Sequence, residues 1–201
     1  MSKERKKSLM AVSGVILCGL CVGILQKADL GLDPFSCFVT GIANIFDSSY
    51  GIFYLVVTSL LLLVGSRIKK SYFGLATIAN LLLTGFIADF AVAMLDHLSI
   101  ELTYFMRAGL LIIGLVLMCL AASLYFTADR GVSAYDALAL ILTNEYRTAS
   151  FKWCRIFTDG SCVVIGAFLG ATVGIGTLLT AFFMGPLIQL FDAKISRPLL
   201  K

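Results

Sequence analysis

The sequence predicts an all-α polytopic membrane protein, with six transmembrane helices plus two short re-entrant half-helices in an inverted 3+3 internal repeat. Three observations carry this expectation. The chain of 201 residues is 59% hydrophobic and 14% charged, against roughly 45–50% and about 25% in soluble domains, and its mean hydropathy is +0.96. Polar signatures recur at a spacing of one hundred residues. The basic residues cluster so that one threading of the chain gathers them on a single face, as the positive-inside rule requires.

A spanning helix takes about 17–25 mostly apolar residues, and the stretches 8–26, 50–66, 72–95, 104–127, 151–170 and 171–190 have that length and character. The first follows Lys3, Arg5, Lys6 and Lys7. It lacks a small-x-small cleavage site, and Leu17 and Leu20 precede Cys18 and Cys21, so it reads as a retained span and not as a signal peptide or lipoprotein leader. Between the first and second spans lies the short apolar segment 34–46. Asp33 is its N-cap, and Pro34 takes the first helical position, where the missing N–H costs nothing. Thirteen helical residues cover about 20 Å, less than the ~30 Å hydrocarbon core, which fits a half-helix entering and leaving by one face. The segment 134–146 is its counterpart, with Ser133 as N-cap and Asp136 three residues on in a capping-box-like arrangement. Gly31 and Gly131 suit the sharp turns leading in.

The repeat rests on "ADLGLDPFS" at 28–36 and "ADRGVSAYD" at 128–136, and it continues without a gap. Gly14, Asn44, Thr58, Gly74, Thr77 and Gly85 meet Gly114, Asn144, Thr158, Gly174, Thr177 and Gly185. A single membrane domain, 1–201, therefore divides into repeat one at 8–95 and repeat two at 104–195. With the basic N-terminus inside and 34–46 not crossing, Arg67, Lys69, Lys70, Arg147, Lys152 and the basic C-terminus fall inside, while Asp96, His97 and Glu101 fall outside. Three crossings per repeat invert the second copy. The copies diverge in charge as inversion demands: Leu30 answers to Arg130, Asp47 to Arg147, Arg67 to Ala167 and Lys69 to Leu169. Lys27 does not fit this pattern neatly.

Two opposed half-helices would bring their N-terminal ends together near the midplane. Their free N–H groups suit a polar or anionic ligand, with Phe35 and Tyr135 flanking a small molecule and Ser36 and Asp136 adding hydrogen-bonding groups. Asp29 and Asp129 close the first span of each repeat. A carboxylate near a bilayer serves gating, cation coordination or proton coupling, or it caps the turns at Gly31 and Gly131. The stripe Thr77, Asn80 and Thr84, matched by Thr177 and Thr180, lines a pathway or bonds helix to helix. Asp159, with Arg155 at i−4, forms an ion pair or couples protons. The row Gly166, Gly170 and Gly174 fits close helix packing.

Other classes find little support. The three basic clusters follow membrane topology and imply no nucleic acid. The C-x-x-C at Cys18 and Cys21 lies inside a span, where cysteine packs as a small hydrophobe, and His97 is the single histidine, so neither a metal nor a cofactor is expected. Walker, dinucleotide, H-E-x-x-H and nucleophile-elbow patterns are absent, and no enzymatic activity is expected.

The stretches "GLDPFS" and "RGVSAYDAL" resemble the YczE/YyaS/YitT-type bacterial integral membrane proteins, which carry a Gly-x-x-Pro-aromatic motif at the matching place. Ala134 stands where that motif would put proline in the second copy. The resemblance implies a bacterial plasma membrane and says little about activity. From the repeat and the charges, the expectation is a transporter or channel-like permease for a small polar solute or ion, with both termini cytoplasmic. The alternatives are a membrane scaffold or regulatory subunit and, third, a thiol-redox protein using Cys18 and Cys21. The partners are the bilayer and the solute, and a homo-oligomer is left open.

Overall fold

In a computed structural model, which describes residues 3–97 and 102–200, the chain is all-helical. The helices are α1 (Lys3–Ala28), α2 (Pro34–Ile45), α3 (Tyr50–Ile68), α4 (Leu75–His97), α5 (Tyr104–Ala128), α6 (Ala134–Asn144), α7 (Phe151–Phe168) and α8 (Ile175–Phe191), followed by a π-helical turn Asp192–Ser196 and a last turn Arg197–Leu199. Two of the residues used above to assign sidedness, Glu101 and Lys201, lie outside the described residues.

Among the described residues, five helical segments are long and apolar enough to cross a membrane: Glu4–Ala28, Tyr50–Ile68, Leu75–His97, Tyr104–Ala128 and Ile175–Leu199. α7 has 18 residues but carries Lys152, Arg155 and Asp159. Its outer surface is still apolar, with Phe157, Val164 and Phe168 exposed. Exposed Leu60, Leu63, Val64, Phe86, Phe90 and Ile112 continue that coat on α3, α4 and α5. A coat of this kind belongs in lipid.

The helix starts are written in the sequence. Asp33 caps α2 by accepting from Ser36 N at 3.2 Å, ahead of Pro34. Ser49 Oγ and Thr103 Oγ1 accept from Ile52 N and Met106 N at 3.4 Å each. Ser133 Oγ accepts from Asp136 N at 3.0 Å. Capping of this kind satisfies one of the four orphan N–H donors at each helix start.

α1 and α5 form the antiparallel centre. Gly14 of α1 abuts Ala121 and Tyr125 near the end of α5, and Gly114 of α5 abuts Ile24 and Leu25 near the end of α1. These contacts exchange with each other under the hundred-residue register. The same reciprocity governs the segments after each central helix. Asp29 and Asp129 have φ of 52° and 53°, and Gly31 and Gly131 have φ of 110° and 102°. Gly176 N donates to Leu30 O at 2.8 Å, and Ala76 N donates to Arg130 O at 2.9 Å.

Those backbone bonds move two expected boundaries. The third span, expected from residue 72, begins at Leu75, because Lys70–Tyr72 forms a 3-10 turn and Tyr72 O accepts from Val132 N at 3.0 Å. The last span, expected from 171, begins at Ile175, behind Gly174 packed on Leu30 O. The backbone there pairs with the opposite half instead of coiling.

Gly74 and Gly174 are tests of this pairing. A Cβ on Gly74 would lie 2.3 Å from Arg130 O, and one on Gly174 would lie 2.5 Å from Leu30 O, whereas Gly185 has open space. Gly74→Ala and Gly174→Ala are each expected to lower stability by ~1–3 kcal/mol through overpacking, with Gly185→Ala neutral or stabilising. Thermal unfolding in detergent measures all three.

Candidate functional site

The N-terminal ends of α2 and α6 meet. The rings of Phe35 and Tyr135 stack at 4.6 Å between centroids and 18° between planes. The two rings expected to flank a small molecule therefore lie on one another, because both helices start with an aromatic at the same turn and converge. Phe35 also meets Tyr54 edge-on at 5.7 Å.

Beside this stack lies an ionic cluster. Asp136, in the first turn of α6, accepts from Ser133 Oγ at 2.7 Å, from Tyr125 OH of α5 and from Arg155 Nη1 of α7. Arg155 Nε also reaches Asp159 Oδ2 at 3.2 Å, one turn along its own helix. Tyr135 OH donates to Asp159 Oδ1, and the guanidinium carbon stands 4.7 Å from the Tyr135 ring centre. The Asp136 side chain is only 11% exposed. Two carboxylates share one guanidinium, so with all three groups ionised the cluster carries one negative charge.

Asp33 adds a second. Its Oδ1 caps α2, but its Oδ2 is buried without a hydrogen-bond partner. Carboxylates therefore occupy both helix starts, where the helix dipole favours an anion. An anionic ligand would compete with Asp33 and Asp136. A cation, a proton or a zwitterion would complete them. On the other side of α2, Ser36 Oγ and Tyr50 OH share a hydrogen bond at 3.0 Å, and Tyr54 OH donates to Asn80 Oδ1 at 2.6 Å.

The remaining expected residues lie elsewhere. Asp29 is 55% exposed and bound to Arg107 Nη1 and Thr172 Oγ1, each at 3.0 Å, while Asp129 is 89% exposed with Lys7 Nζ at 3.9 Å. Both end their helices in the left-handed conformation at the rim of the molecule, so neither joins the buried cluster. In the stripe, Thr77 fastens its helix start to the opposite loop, while Thr177 and Thr180 bond within their own helix and its cap. Thr77 Oγ1 donates to Val132 O at 2.6 Å and accepts from Gly74 N at 3.1 Å. Thr177 Oγ1 accepts from Gly174 N at 3.4 Å, and Thr180 Oγ1 donates to Thr177 O at 2.9 Å. Lys27, which fitted no face, is paired with Asp96. Cys18 and Cys21 are free thiols within α1.

The sequence argument passed over Tyr125, Tyr50 and Tyr54, and it read Arg155 and Asp159 as a local ion pair or a proton-coupling site without linking them to Asp136. A signal was present. Tyr125, Asp136, Arg155 and Asp159 stand opposite Leu25, Ser36, Leu55 and Ser59 in the register. The cluster is built where the second copy departs from the first.

Arg155 organises these groups, so its loss strands two carboxylates. Arg155→Leu is expected to cost ~1–3 kcal/mol of stability, as for a polar site left unsatisfied at partial exposure. Arg155→Leu combined with Asp136→Asn and Asp159→Asn is expected to recover part of that loss. Unfolding in detergent distinguishes the two proteins, and equal stability would deny the pairing any role.

Comparison with known proteins places the chain among bacterial membrane proteins of undetermined activity. It is 24% identical over 175 residues to the "Uncharacterized membrane protein YczE" of Bacillus subtilis, covering 87% of this chain and 79% of the relative. It is 25% identical over 188 residues to "Uncharacterized protein YyaS" of the same organism, covering 92% and 91%. An "Uncharacterized protein" of Haemophilus influenzae matches at 26% over 181 residues, covering 90% and 81%. The resemblance read from "GLDPFS" and "RGVSAYDAL" thus holds for YczE and YyaS along most of the chain. No solved structure matches. The model of a family of unknown function, DUF6198, matches residues 5–193, and the chain belongs to that family.

Proposed function

We propose that this protein is a transporter or channel-like permease of the bacterial cytoplasmic membrane, passing a small polar solute or ion, with no catalytic step. In this reading α1, α3, α4, α5, α7 and α8 span the bilayer, α2 and α6 are re-entrant half-helices, and the two repeats are inverted with both termini cytoplasmic. The observation that carries it is the buried ionic cluster at the point where the two short helix starts converge. Ionisable groups at such depth are expensive and usually mark a solute or proton pathway.

Other features support the reading. Two equivalent helices packed antiparallel, α1 and α5, imply a two-fold axis perpendicular to both, which lies in the membrane plane if they span. Charges at their ends then sort by side. Lys7 with Asp129, Arg130 with Glu4, and Lys69 with Glu145 share the inner face. Lys27 with Asp96 and Arg107 with Asp29 share the outer one, so the outer basic residues are neutralised locally. Alternating access would rock the two inverted halves about the Phe35–Tyr135 contact.

Thiol accessibility tests the reading. Ser36→Cys and Ser133→Cys, each in a protein whose native cysteines are replaced, flank the stack from either half. A permease predicts that membrane-impermeant methanethiosulfonates modify both, with the reactive side changing with solute or pH. If folded protein labels at neither position from either face, the half-helices are packing elements and the scaffold reading takes over.

A further inference from the structure

A cleft of ≈ 180 Å³ opens where the end of α1 faces the last turns of α2, outside the ionic cluster. Gln26, Asp29, Thr40, Asn44, Tyr50 and Thr172 contribute its polar wall. Two of these side chains are conspicuous. Gln26 Nε2 and Thr40 Oγ1 are buried and have no hydrogen-bond partner. A buried donor left unpaired costs about 1–3 kcal/mol, so two in one small cleft mark a place built for something else to fill. Asn44 Nδ2 is committed to Gly170 O at 3.1 Å, which leaves its carbonyl oxygen as an acceptor. At the rim, Asp29 and Arg107 form an ion pair at 3.0 Å.

We infer that this cleft is a binding site for a small zwitterion of the amino-acid class, facing the Asp29 side. Gln26 Nε2 and the Thr40 hydroxyl donate to its carboxylate, and Asn44 Oδ1 with the Asp29 carboxylate receives its ammonium. Net neutrality follows from the rim. Asp29 and Arg107 already balance each other, so a ligand with net charge would leave an uncompensated ion in a half-buried space. A zwitterion can instead exchange partners with that pair.

The site is one-sided. Under the hundred-residue register Gln26, Thr40 and Thr172 answer to Phe126, Leu140 and Tyr72. Two of the three donors of the cleft thus answer to apolar side chains, and the third answers to Tyr72, whose hydroxyl accepts from Asn144 Nδ2 at 2.9 Å. Tyr50 forms part of the cleft and bonds Ser36 Oγ at 3.0 Å. Ser36 is in the first turn of α2, next to Phe35 of the aromatic stack. Breaking the Tyr50–Ser36 bond would lead from the cleft toward Asp33 and the cluster. This last step rests on the permease reading, whereas binding in the cleft does not.

Thr40→Cys, in a protein whose six native cysteines are replaced, is reconstituted into liposomes and reacted with an impermeant methanethiosulfonate. Ser48 also lines the cleft, and Ser48→Cys is the second reporter should Thr40→Cys fail to fold. L-serine is expected to slow modification from the Asp29 side by a factor of about ten once its concentration exceeds the dissociation constant about tenfold. Ethanolamine and propionate, each with one of the two charges, are expected to protect weakly, and Gln26→Leu to abolish serine protection. A thiol inert from both faces at both positions overturns the inference, as does labelling that serine does not slow. Equal protection by ethanolamine or propionate overturns the zwitterion assignment. Reactivity at Ser36→Cys reports on the permease reading separately, so the two failures are distinguishable.

Discussion

The fold depends on satisfying the backbone of two non-helical segments, 29–33 and 129–133, inside an apolar body. Hydrocarbon offers no partner for an exposed N–H or C=O, so irregular backbone survives there only against protein or trapped water. Each segment is served by the other half of the chain. Leu30 O is taken by Gly176 N, and Arg130 O by Ala76 N. Val132 bonds through its N–H to Tyr72 O and through its carbonyl to Thr77 Oγ1. Neither half can make these bonds alone. Glycine at 74 and 174 lets the two backbones come close enough, and the positive φ at Gly31 and Gly131 turns each segment toward its partner.

This exchange fixes where α2 and α6 start, and therefore where their aromatic residues meet. It leaves the chemistry to the side chains at the meeting point, and there the copies are unequal. The first copy contributes the Asp33 carboxylate and four neutral groups, Ser36, Tyr50, Tyr54 and Asn80, the four joined in two hydrogen-bonded pairs. The second contributes Asp136, Arg155 and Asp159 with two tyrosine hydroxyls. Residues that match at the hundred-residue spacing form the frame, and residues that differ across it place the Arg155 ion pairs to one side of the stack.

Much of the frame was legible. The helix starts at Pro34 and Ala134 followed from Asp33, Pro34 and Ser133, because capping is local chemistry. The left-handed turns fell at the matching aspartates and glycines for the same reason. The rest depends on contacts between distant segments. Asp29 and Asp129 stood out in sequence as carboxylates beside apolar runs, yet a residue at a helix end can lie at the rim or in the core, and sequence spacing does not distinguish these. Thr77 and Thr177 could line a pathway or bond helix to helix, because a polar stripe on a helix has one period whatever it faces. The bond from Thr77 to Val132 O needs the opposite loop. The cluster was hidden differently: Arg155 and Asp159 were visible as an i, i+4 pair, but Asp136 and Tyr125 reach them only through tertiary packing.

The Phe35–Tyr135 stack has the right strength to serve as a moving joint. An aromatic pair contributes ~0.5–1.5 kcal/mol beyond its buried area, small beside the reciprocal backbone bonds and the close glycine contacts that hold α1 to α5. In the permease reading, a rearrangement that separates the rings can leave that central pair intact. Tyr135 carries this constraint into the cluster. Its hydroxyl is bound to Asp159 and its face lies under the Arg155 guanidinium. On that reading, moving the ring would shift Arg155 between Asp136 and Asp159 and so change which carboxylate is free to take a proton or a cation. In the permease reading, the joint between the halves and the ionic site are one mechanical unit, linked through a single tyrosine.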